Sequence, residues 1–317
     1  MVSDLSLLVA GFLLLFFGAE ALVRGATAVS LRAGIPPLIV GLTVLAFSTS
    51  SPELVVGLKA AWKGNGGICL GNVIGSNIAN TGLILGVAAM ILPLGVNRQI
   101  VRREIPVMLA LTFLFGIFMW GDIIGRIEGA LLFTGLIAYI IYSVITARRS
   151  GETATQEEVE SVAPNLGRHW AVDVTLLVGG LGILILGADL MVTSAVNIAT
   201  LLGAPEVLIG LTMVAIGTSL PELATSIVAA VKRQSDLMVG NLIGSNIFNL
   251  GAILGSASLV RPIVNEGITL IDISILLLFS MALVPIMLTN YKISRLEGAL
   301  LVLGYFGYMS YIGIQLT

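Results

Sequence analysis

Two stretches of the chain carry a proline followed by a glutamate inside long apolar runs: AFSTSSPE at 46–53 and AIGTSLPE at 215–222. A charged side chain within an apolar run that crosses lipid is costly, and it normally faces a partner or a water-filled path. The proline lacks a backbone N–H and disrupts the helical hydrogen bond to the carbonyl four residues before it. Each stretch therefore predicts a disrupted helix with a buried carboxylate, Glu53 in one and Glu222 in the other.

These two stretches belong to two copies of one long unit. Residues 41–86 align without a gap on residues 210–255, at an offset of 169, and 24 of the 46 positions are identical. The same offset places 18–20 on 187–189 and 128–132 on 297–301. A constant offset over this length indicates duplication of a whole structural unit rather than a shared short motif.

The composition excludes a water-soluble globular domain. Hydrophobic residues make up 57% of the 317 residues, charged residues only 11%, and the mean hydropathy is +1.04. Soluble domains carry about 25% charged residues, so most of this chain must have the lipid bilayer as its solvent. One cysteine, Cys69, and one histidine, His169, exclude an intrachain disulfide and a clustered zinc, copper or haem site. Any metal ion must be bound by oxygen, and no cofactor, nucleotide or nucleic acid is predicted.

Ten apolar segments are long enough to cross a bilayer as helices, which takes about 20 residues. They run over 5–30, 38–62, 68–92, 104–121, 125–146, 172–199, 206–231, 237–260, 269–289 and 294–316. One long polar break lies between Arg148 and His169 and is typical of a surface linker. We predict a first five-helix repeat at 1–146, a linker at 147–168 and a second five-helix repeat at 169–317, all within one membrane domain.

Two copies of a unit with an odd number of helices must insert in opposite orientations. The predicted fold is therefore all-α, a polytopic membrane protein of ten transmembrane helices built from two inverted five-helix repeats. Twelve basic residues follow or flank the ends of the odd-numbered segments: Arg24, Arg32, Arg98, Arg102, Arg103, Arg148, Arg149, Arg168, Lys232, Arg233, Lys292 and Arg295. The opposite side holds four: Lys59, Lys63, Arg126 and Arg261. This bias predicts a cell (inner) membrane protein with a cytoplasmic linker and both termini outside.

Hydroxyl and amide side chains lie near each carboxylate. Thr49 precedes Glu53 by four residues and shares its helix face, with Ala46 and Ser50 beside it. The second copy repeats this with four residues: Thr218, Glu222, Ala215 and Ser219. The next segments contain GNVIGSNIAN at 71–80 and GNLIGSNIFN at 240–249, in which Ser76 and Asn80, and likewise Ser245 and Asn249, are four residues apart.

The carboxylates, hydroxyls and amides of these segments supply hard oxygen ligands. Ca²⁺ prefers such ligands and takes about 6–8 of them. Two carboxylates match the charge of one Ca²⁺, and Na⁺ ions could use overlapping subsets of the same oxygens. The candidate metal site derived from these residues consists of Thr49, Ser50, Glu53, Ser76, Asn80, Thr218, Ser219, Glu222, Ser245 and Asn249.

The paired motifs resemble the calcium/cation antiporter superfamily, specifically its prokaryotic sodium/calcium exchangers, over the full chain. The resemblance implies an antiporter that exchanges Ca²⁺ for Na⁺ by alternating access, with Glu53 and Glu222 as shared ligands of both ions. It also implies backbone oxygen ligands from Thr49 and Thr218, and Na⁺ positions lined by Ala46, Ser76, Ala215 and Ser245. The first and sixth helices would slide across this core. Relatives often carry Asp where this chain has Asn80 and Asn249.

Other functions stay open at this point. The same fold could couple Ca²⁺ or another divalent cation to protons, and a channel or an intramembrane enzyme would be further alternatives. An intramembrane serine protease would need a histidine or lysine within the membrane, and His169 lies in the linker. Glu20 and its repeat counterpart Asp189 are expected to be structural or gating residues rather than ligands.

The predicted topology can be tested by labelling single cysteines with a membrane-impermeant thiol reagent. In a chain whose Cys69 is replaced by alanine, Glu157→Cys and Thr317→Cys should react from opposite sides, because five predicted helices separate them. Labelling of both positions from one side would contradict the inverted repeat.

Overall fold

The computed structural model describes residues 2–33, 37–150, 170–201, 215–265 and 267–315. Within these ranges the chain is almost wholly helical, which confirms the all-α prediction. The predicted linker lies outside the described residues from 151 onward, and so does the first part of the predicted seventh span, 206–214. The helix that precedes the linker ends at Ser150, four residues beyond the predicted boundary at 146.

Within the described ranges the helices fall into two series of six with matching order. The first series is α1 (Val2–Ala33), α2 (Leu38–Thr49), α3 (Ser51–Lys63), α4 (Gly66–Ile91), α5 (Ile100–Gly121) and α6 (Arg126–Ser150). The second series is α7 (Trp170–Leu201), α8 (Ala215–Thr218), α9 (Leu220–Val231), α10 (Ser235–Val260), α11 (Leu270–Leu288) and α12 (Arg295–Gln315). Turns of π-helix occur at Gly41–Leu45, Ala79–Ile84, Ile100–Glu104 and Asn249–Ile253.

Seven helices in the described ranges are long and apolar enough to cross a membrane: α1, α4, α5, α6, α7, α10 and α11. The pair α2 and α3 would make an eighth span with a bend of 49° between its halves. Helix α12 has 21 residues but is less apolar, because three tyrosines, Tyr305, Tyr308 and Tyr311, lie along it. Since residues 202–214 before α8 lie outside the described ranges, the count of ten spans stays a prediction.

Four short strands in the described ranges lie in loops and form two antiparallel pairs. Strand β1 (Leu94–Gly95) pairs with β4 (Lys292–Ile293), and β2 (Ile123–Ile124) pairs with β3 (Ile263–Val264), both antiparallel. The two ladders are images of each other at the offset of 169, since Leu94 faces Ile293 as Ile263 faces Ile124. Each ladder connects two loops that the basic-residue pattern assigns to one side of the membrane.

Helices α1 and α7 pack antiparallel along most of their length, at distances that only glycine permits. A Cβ on Gly18 would lie 2.7 Å from the backbone nitrogen of Leu184, and one on Gly187 would lie 2.7 Å from that of Leu15. These contacts are again images at the offset of 169. The α1–α7 pair is therefore a two-helix unit in which the two backbones are in close contact at the glycines.

Helices α4 and α10 form the centre of the molecule. The most apolar stretch of α10 is entirely buried, and that of α4 is 72% buried, whereas the other spanning helices bury no more than 39%. Glycines allow α2 to approach α10, because a Cβ on Gly244 would lie 2.6 Å from the carbonyl oxygen of Leu42. The repeated GSN motifs on α4 and α10 consequently face the interior, where the candidate site residues lie.

Glycine packing between α1 and α7 can be tested with a matched pair of substitutions on α7. Gly187→Ala should destabilise the protein by about 1–3 kcal/mol, because its methyl group would collide with the α1 backbone. Gly179→Ala is the control, since no atom of the described residues lies within 4 Å of its Cβ position. The control should be neutral or stabilising by up to about 1 kcal/mol, because alanine favours helix. Thermal unfolding in detergent measures both, and equal effects would contradict the close contact.

Candidate cation-binding site

Both carboxylates follow a break in a helix. Ser50, between α2 and α3, has φ −83° and ψ 7°, and Ser219, between α8 and α9, has φ −90° and ψ 3°. The proline after each break is in the first turn of the next helix, where its missing N–H costs no helical hydrogen bond. Glu53 and Glu222 are consequently the third residues of α3 and α9, where the positive end of the helix dipole favours a negative charge.

Each carboxylate is bonded by the serine of the opposite repeat. Ser50 Oγ donates to Glu222 Oε1 at 3.0 Å, and Ser219 Oγ approaches Glu53 Oε1 at 3.4 Å. Both glutamates are 1% exposed and lie close enough together for their charges to interact. The break in each helix therefore positions both a carboxylate and the hydroxyl that contacts its counterpart.

Threonines support the same pair of carboxylates. Thr49 interacts with Glu222 and Thr218 with Glu53, again across the repeats. Thr49 Oγ1 also lies 3.3 Å from Asn241 Oδ1, and Asn72 Nδ2 donates to the Glu53 backbone carbonyl at 3.1 Å. The carboxylates thus rest in a shell of hydroxyls and amides from α2, α4, α8 and α10.

The GSN motifs of α4 and α10 contribute a second group of polar side chains. Ser76 Oγ lies 3.4 Å from Ser219 Oγ, which connects α4 to the carboxylate pair. One turn farther along α4, Asn80 Nδ2 donates to Asn246 Oδ1 at 3.1 Å. Asn249 Nδ2 donates to Asn77 Oδ1 at 2.9 Å, which is the image of that bond in the other repeat.

Several buried oxygens of this region have no hydrogen-bond partner among the described residues. They are Glu53 Oε2, Glu222 Oε2, Asn80 Oδ1, Asn249 Oδ1 and Ser245 Oγ. Leaving a buried polar atom without a partner costs about 1–3 kcal/mol, and more for a charged group. Two of these atoms belong to the carboxylates and three to the α4 and α10 motifs, and the set fits a hard cation because every one of them is oxygen. No group of three or more His, Cys, Asp or Glu side chains occurs in the described part of the chain.

The structure brings most of the predicted site residues together. Ser50 contacts Glu222, and Ser219 contacts both Glu53 and Ser76. Thr49 and Thr218 interact with the carboxylates, and three further predicted residues are buried on α4 and α10: Asn80, Ser245 and Asn249. Ala46 is buried and its carbonyl accepts the Ser50 N–H at 3.0 Å. Ala215 begins α8, and its side chain lies outside the described part.

Four asparagines were missing from the predicted site: Asn72, Asn77, Asn241 and Asn246. All are at most partly exposed and contact predicted site residues or each other. The signal that could have found them was present, because they occupy identical positions of the two repeated motifs. Helical spacing from Ser76 favoured Asn80 instead, and it carries no information on contacts between the repeats.

Comparison with known proteins places the whole chain in one family. The family model described as sodium/calcium exchanger protein matches residues 3–147 and 172–313. The chain is 35% identical over 303 residues to CaxA of Alkalimonas amylolytica, covering 94% of this chain and 95% of that protein. It is 30% identical to the sodium/calcium exchanger MaX1 of Methanosarcina acetivorans, covering 96% of each.

A solved structure shares the fold at full length. The sodium-calcium exchanger NCX_Mj superposes with a TM-score of 0.84 at 30% identity, and the match covers 98% of both chains. An intramembrane enzyme is thereby excluded, because members of the matching family are transporters. The chain belongs to the sodium/calcium exchanger protein family and is a multi-pass membrane cation antiporter.

Proposed function

We propose that this antiporter exchanges Ca²⁺ for Na⁺ at the site around Glu53 and Glu222. The observation that carries the proposal is the set of unpartnered buried oxygens beside two carboxylates that hydroxyls of opposite repeats hold together. The names of the relatives MaX1 and NCX_Mj support the choice of ions. Ca²⁺ and Na⁺ are the substrates, and no cofactor is needed.

The charge of the site explains why exchange would be coupled. Glu53 and Glu222 together carry −2, which one Ca²⁺ balances, whereas Asn80 and Asn249 add oxygens without charge. Ca²⁺ takes about 6–8 oxygen ligands, so it would need most of the oxygens in the site. Na⁺ ions that use the same carboxylates cannot be bound at the same time. Mutual exclusion at shared ligands makes each crossing carry one kind of ion.

We further propose that the two series of helices are inverted repeats around this site. Three sets of contacts support the arrangement, because each recurs with its repeat counterparts exchanged: the β ladders, the α1–α7 glycines and the asparagine pairs. An interface between inverted repeats is where secondary transporters bind substrate and alternate access by rocking or sliding one unit against another. In this proposal the unit that moves is the α1–α7 pair, whose glycine contacts join its two helices to each other.

The two repeats differ at one place that bears on access. Glu20 of α1 accepts from Lys232, at the end of α9, at 3.2 Å, and Thr27 of α1 contacts Gln234 at 3.2 Å. The corresponding residues Asp189 and Lys63 are both exposed, with no ion pair between them in the described ranges. Likewise α1 packs along α9, whereas α7 and α3 make almost no contact over the described residues. We infer that the Glu20–Lys232 side is closed here, and that Asp189 and Lys63 pair in the alternate state.

Counter-transport in liposomes containing the purified protein tests the proposed function. Ca²⁺ should enter Na⁺-loaded vesicles placed in Na⁺-free medium, and entry should stop when Na⁺ is equal on both sides. A pH gradient in Na⁺-free medium should drive no uptake. Uptake driven by that pH gradient alone would favour a proton antiporter, and Ca²⁺ flux without any opposed gradient would indicate a channel.

The same assay includes Glu53→Gln and Glu222→Gln. Each should lower Ca²⁺ flux by about 30-fold or more, because removal of one partner from a buried charge interaction costs about 2–5 kcal/mol. Glu128→Gln, at the start of α6, is the matched control and should retain flux. Normal flux in either glutamine variant would place the ion site elsewhere.

Charge reversal tests the two access-side pairs. Glu20→Lys and Lys232→Glu should each change the exchange rate by up to about fivefold, as expected for loss of a partly exposed ion pair. The Glu20→Lys/Lys232→Glu double variant should recover it. Asp189→Lys and Lys63→Glu should follow the same pattern if that pair forms during turnover. Failure of the Asp189→Lys/Lys63→Glu double variant to recover would contradict an alternate state related by the repeat.

A further inference from the structure

Two asparagine pairs join α4 and α10 beside the carboxylates. In one pair Asn80 donates to Asn246, and in the other Asn249 donates to Asn77, through Nδ2 and Oδ1 in both cases. All four side chains are at most 2% exposed. Each pair connects opposite repeats, and the offset of 169 converts one pair into the other. The arrangement is therefore built twice from one local sequence.

The direction of these bonds determines which end of an amide faces the site. An asparagine side chain has an NH₂ group that only donates and an oxygen that only accepts. A cation is attracted by the oxygen and repelled by the NH₂ group. In both pairs the NH₂ group of the predicted site residue is bonded to its partner, and the unpartnered atoms are Asn80 Oδ1 and Asn249 Oδ1.

The accepting asparagines are themselves held in one orientation. Asn246 Nδ2 donates to Thr81 Oγ1 at 3.0 Å and lies 3.6 Å from Met108 Sδ, so its oxygen is directed toward Asn80. Asn77 Nδ2 donates to the backbone carbonyl of Asn246 at 3.4 Å, so its oxygen is directed toward Asn249. A 180° rotation of either amide would place two NH₂ groups, or two oxygens, against each other.

We propose that Asn77 and Asn246 are positioning residues, which fix the amides of Asn249 and Asn80 so that both present oxygen to the transported cation. This role rests on the proposed function, because it needs a cation at the Glu53–Glu222 site. It assigns a task to two residues that lie outside the predicted set of ligands. It also explains why uncharged amides can serve beside a carboxylate pair without repelling the ion.

The first variants remove the side-chain oxygen of Asn77 or Asn246 that accepts a hydrogen bond from the other asparagine of its pair. Asn77→Leu keeps the branched shape of the side chain but removes its oxygen, which leaves Asn249 free to rotate, and Asn246→Leu does the same for Asn80. Each should weaken Ca²⁺ affinity by about 10–100-fold, as loss of an outer-shell partner does at metal sites. Calorimetric titration with Ca²⁺ in detergent measures affinity, and the KM for Ca²⁺ in the flux assay should rise more than the maximal rate falls.

Replacing Asn249 or Asn80 by aspartate should make Ca²⁺ affinity independent of the partner asparagine, because a carboxylate presents oxygen in either orientation. In an Asn249→Asp protein, adding Asn77→Leu should change Ca²⁺ affinity by no more than about twofold, the range expected of uncoupled sites. The same holds for Asn246→Leu in an Asn80→Asp protein. The crossed combination is the control, and Asn77→Leu should keep its full effect in the Asn80→Asp protein, since these residues belong to different pairs.

The outcomes separate this role from a structural one and from the proposed function. If Asn77→Leu weakens binding equally in the Asn249→Asp and Asn80→Asp proteins, its effect is structural and the positioning role is wrong. If Asn77→Leu leaves Ca²⁺ affinity unchanged in a protein that transports Ca²⁺, the positioning role alone is overturned. If the unaltered protein binds no Ca²⁺, the proposed function is overturned as well. Asn77→Ala, which cannot clash, replaces the leucine variant if the latter does not fold.

Discussion

Two carboxylates inside an apolar helix bundle impose a constraint on everything around them. A charge that cannot reach water must have hydrogen bonds, a favourable dipole or a counter-ion. Here Glu53 and Glu222 have the first two kinds of support, from cross-repeat serines and helix N-termini, and they lie in a region with further unpartnered buried oxygens. The helix breaks at Ser50 and Ser219 follow from the same need, because they expose helix ends at the centre of the molecule.

The two repeats depend on each other through this site. Neither half could bond its own carboxylate as the structure does, since the serine that contacts Glu222 comes from the first repeat and the one that contacts Glu53 comes from the second. The asparagine pairs connect α4 and α10 in the same reciprocal way. The glycine contacts of α1 and α7 join these two helices to each other in the same reciprocal way.

Sequence reasoning succeeded where one local rule sufficed. Hydropathy identified the membrane class, and Pro-Glu within an apolar run predicted the helix breaks and the burial of Glu53 and Glu222. It placed the end of the first repeat at 146, whereas α6 extends to Ser150, directly before Gly151 in the sequence. It also missed Asn77 and Asn246, because helical spacing describes one helix face and says nothing of the partner that this face meets.

The sequence by itself determined that the chain lies in lipid, that it contains one unit twice and that its buried oxygens suit a hard cation. These properties depend on composition, periodicity and residue type, which are local or repeat along the chain. Only the tertiary structure decided that Ser50 contacts Glu222 rather than Glu53, that Asn80 pairs with Asn246, and that Glu20 pairs with Lys232. The reason is that the two copies have nearly the same local sequence, so the choice between partners within and between repeats is made by how the helices pack.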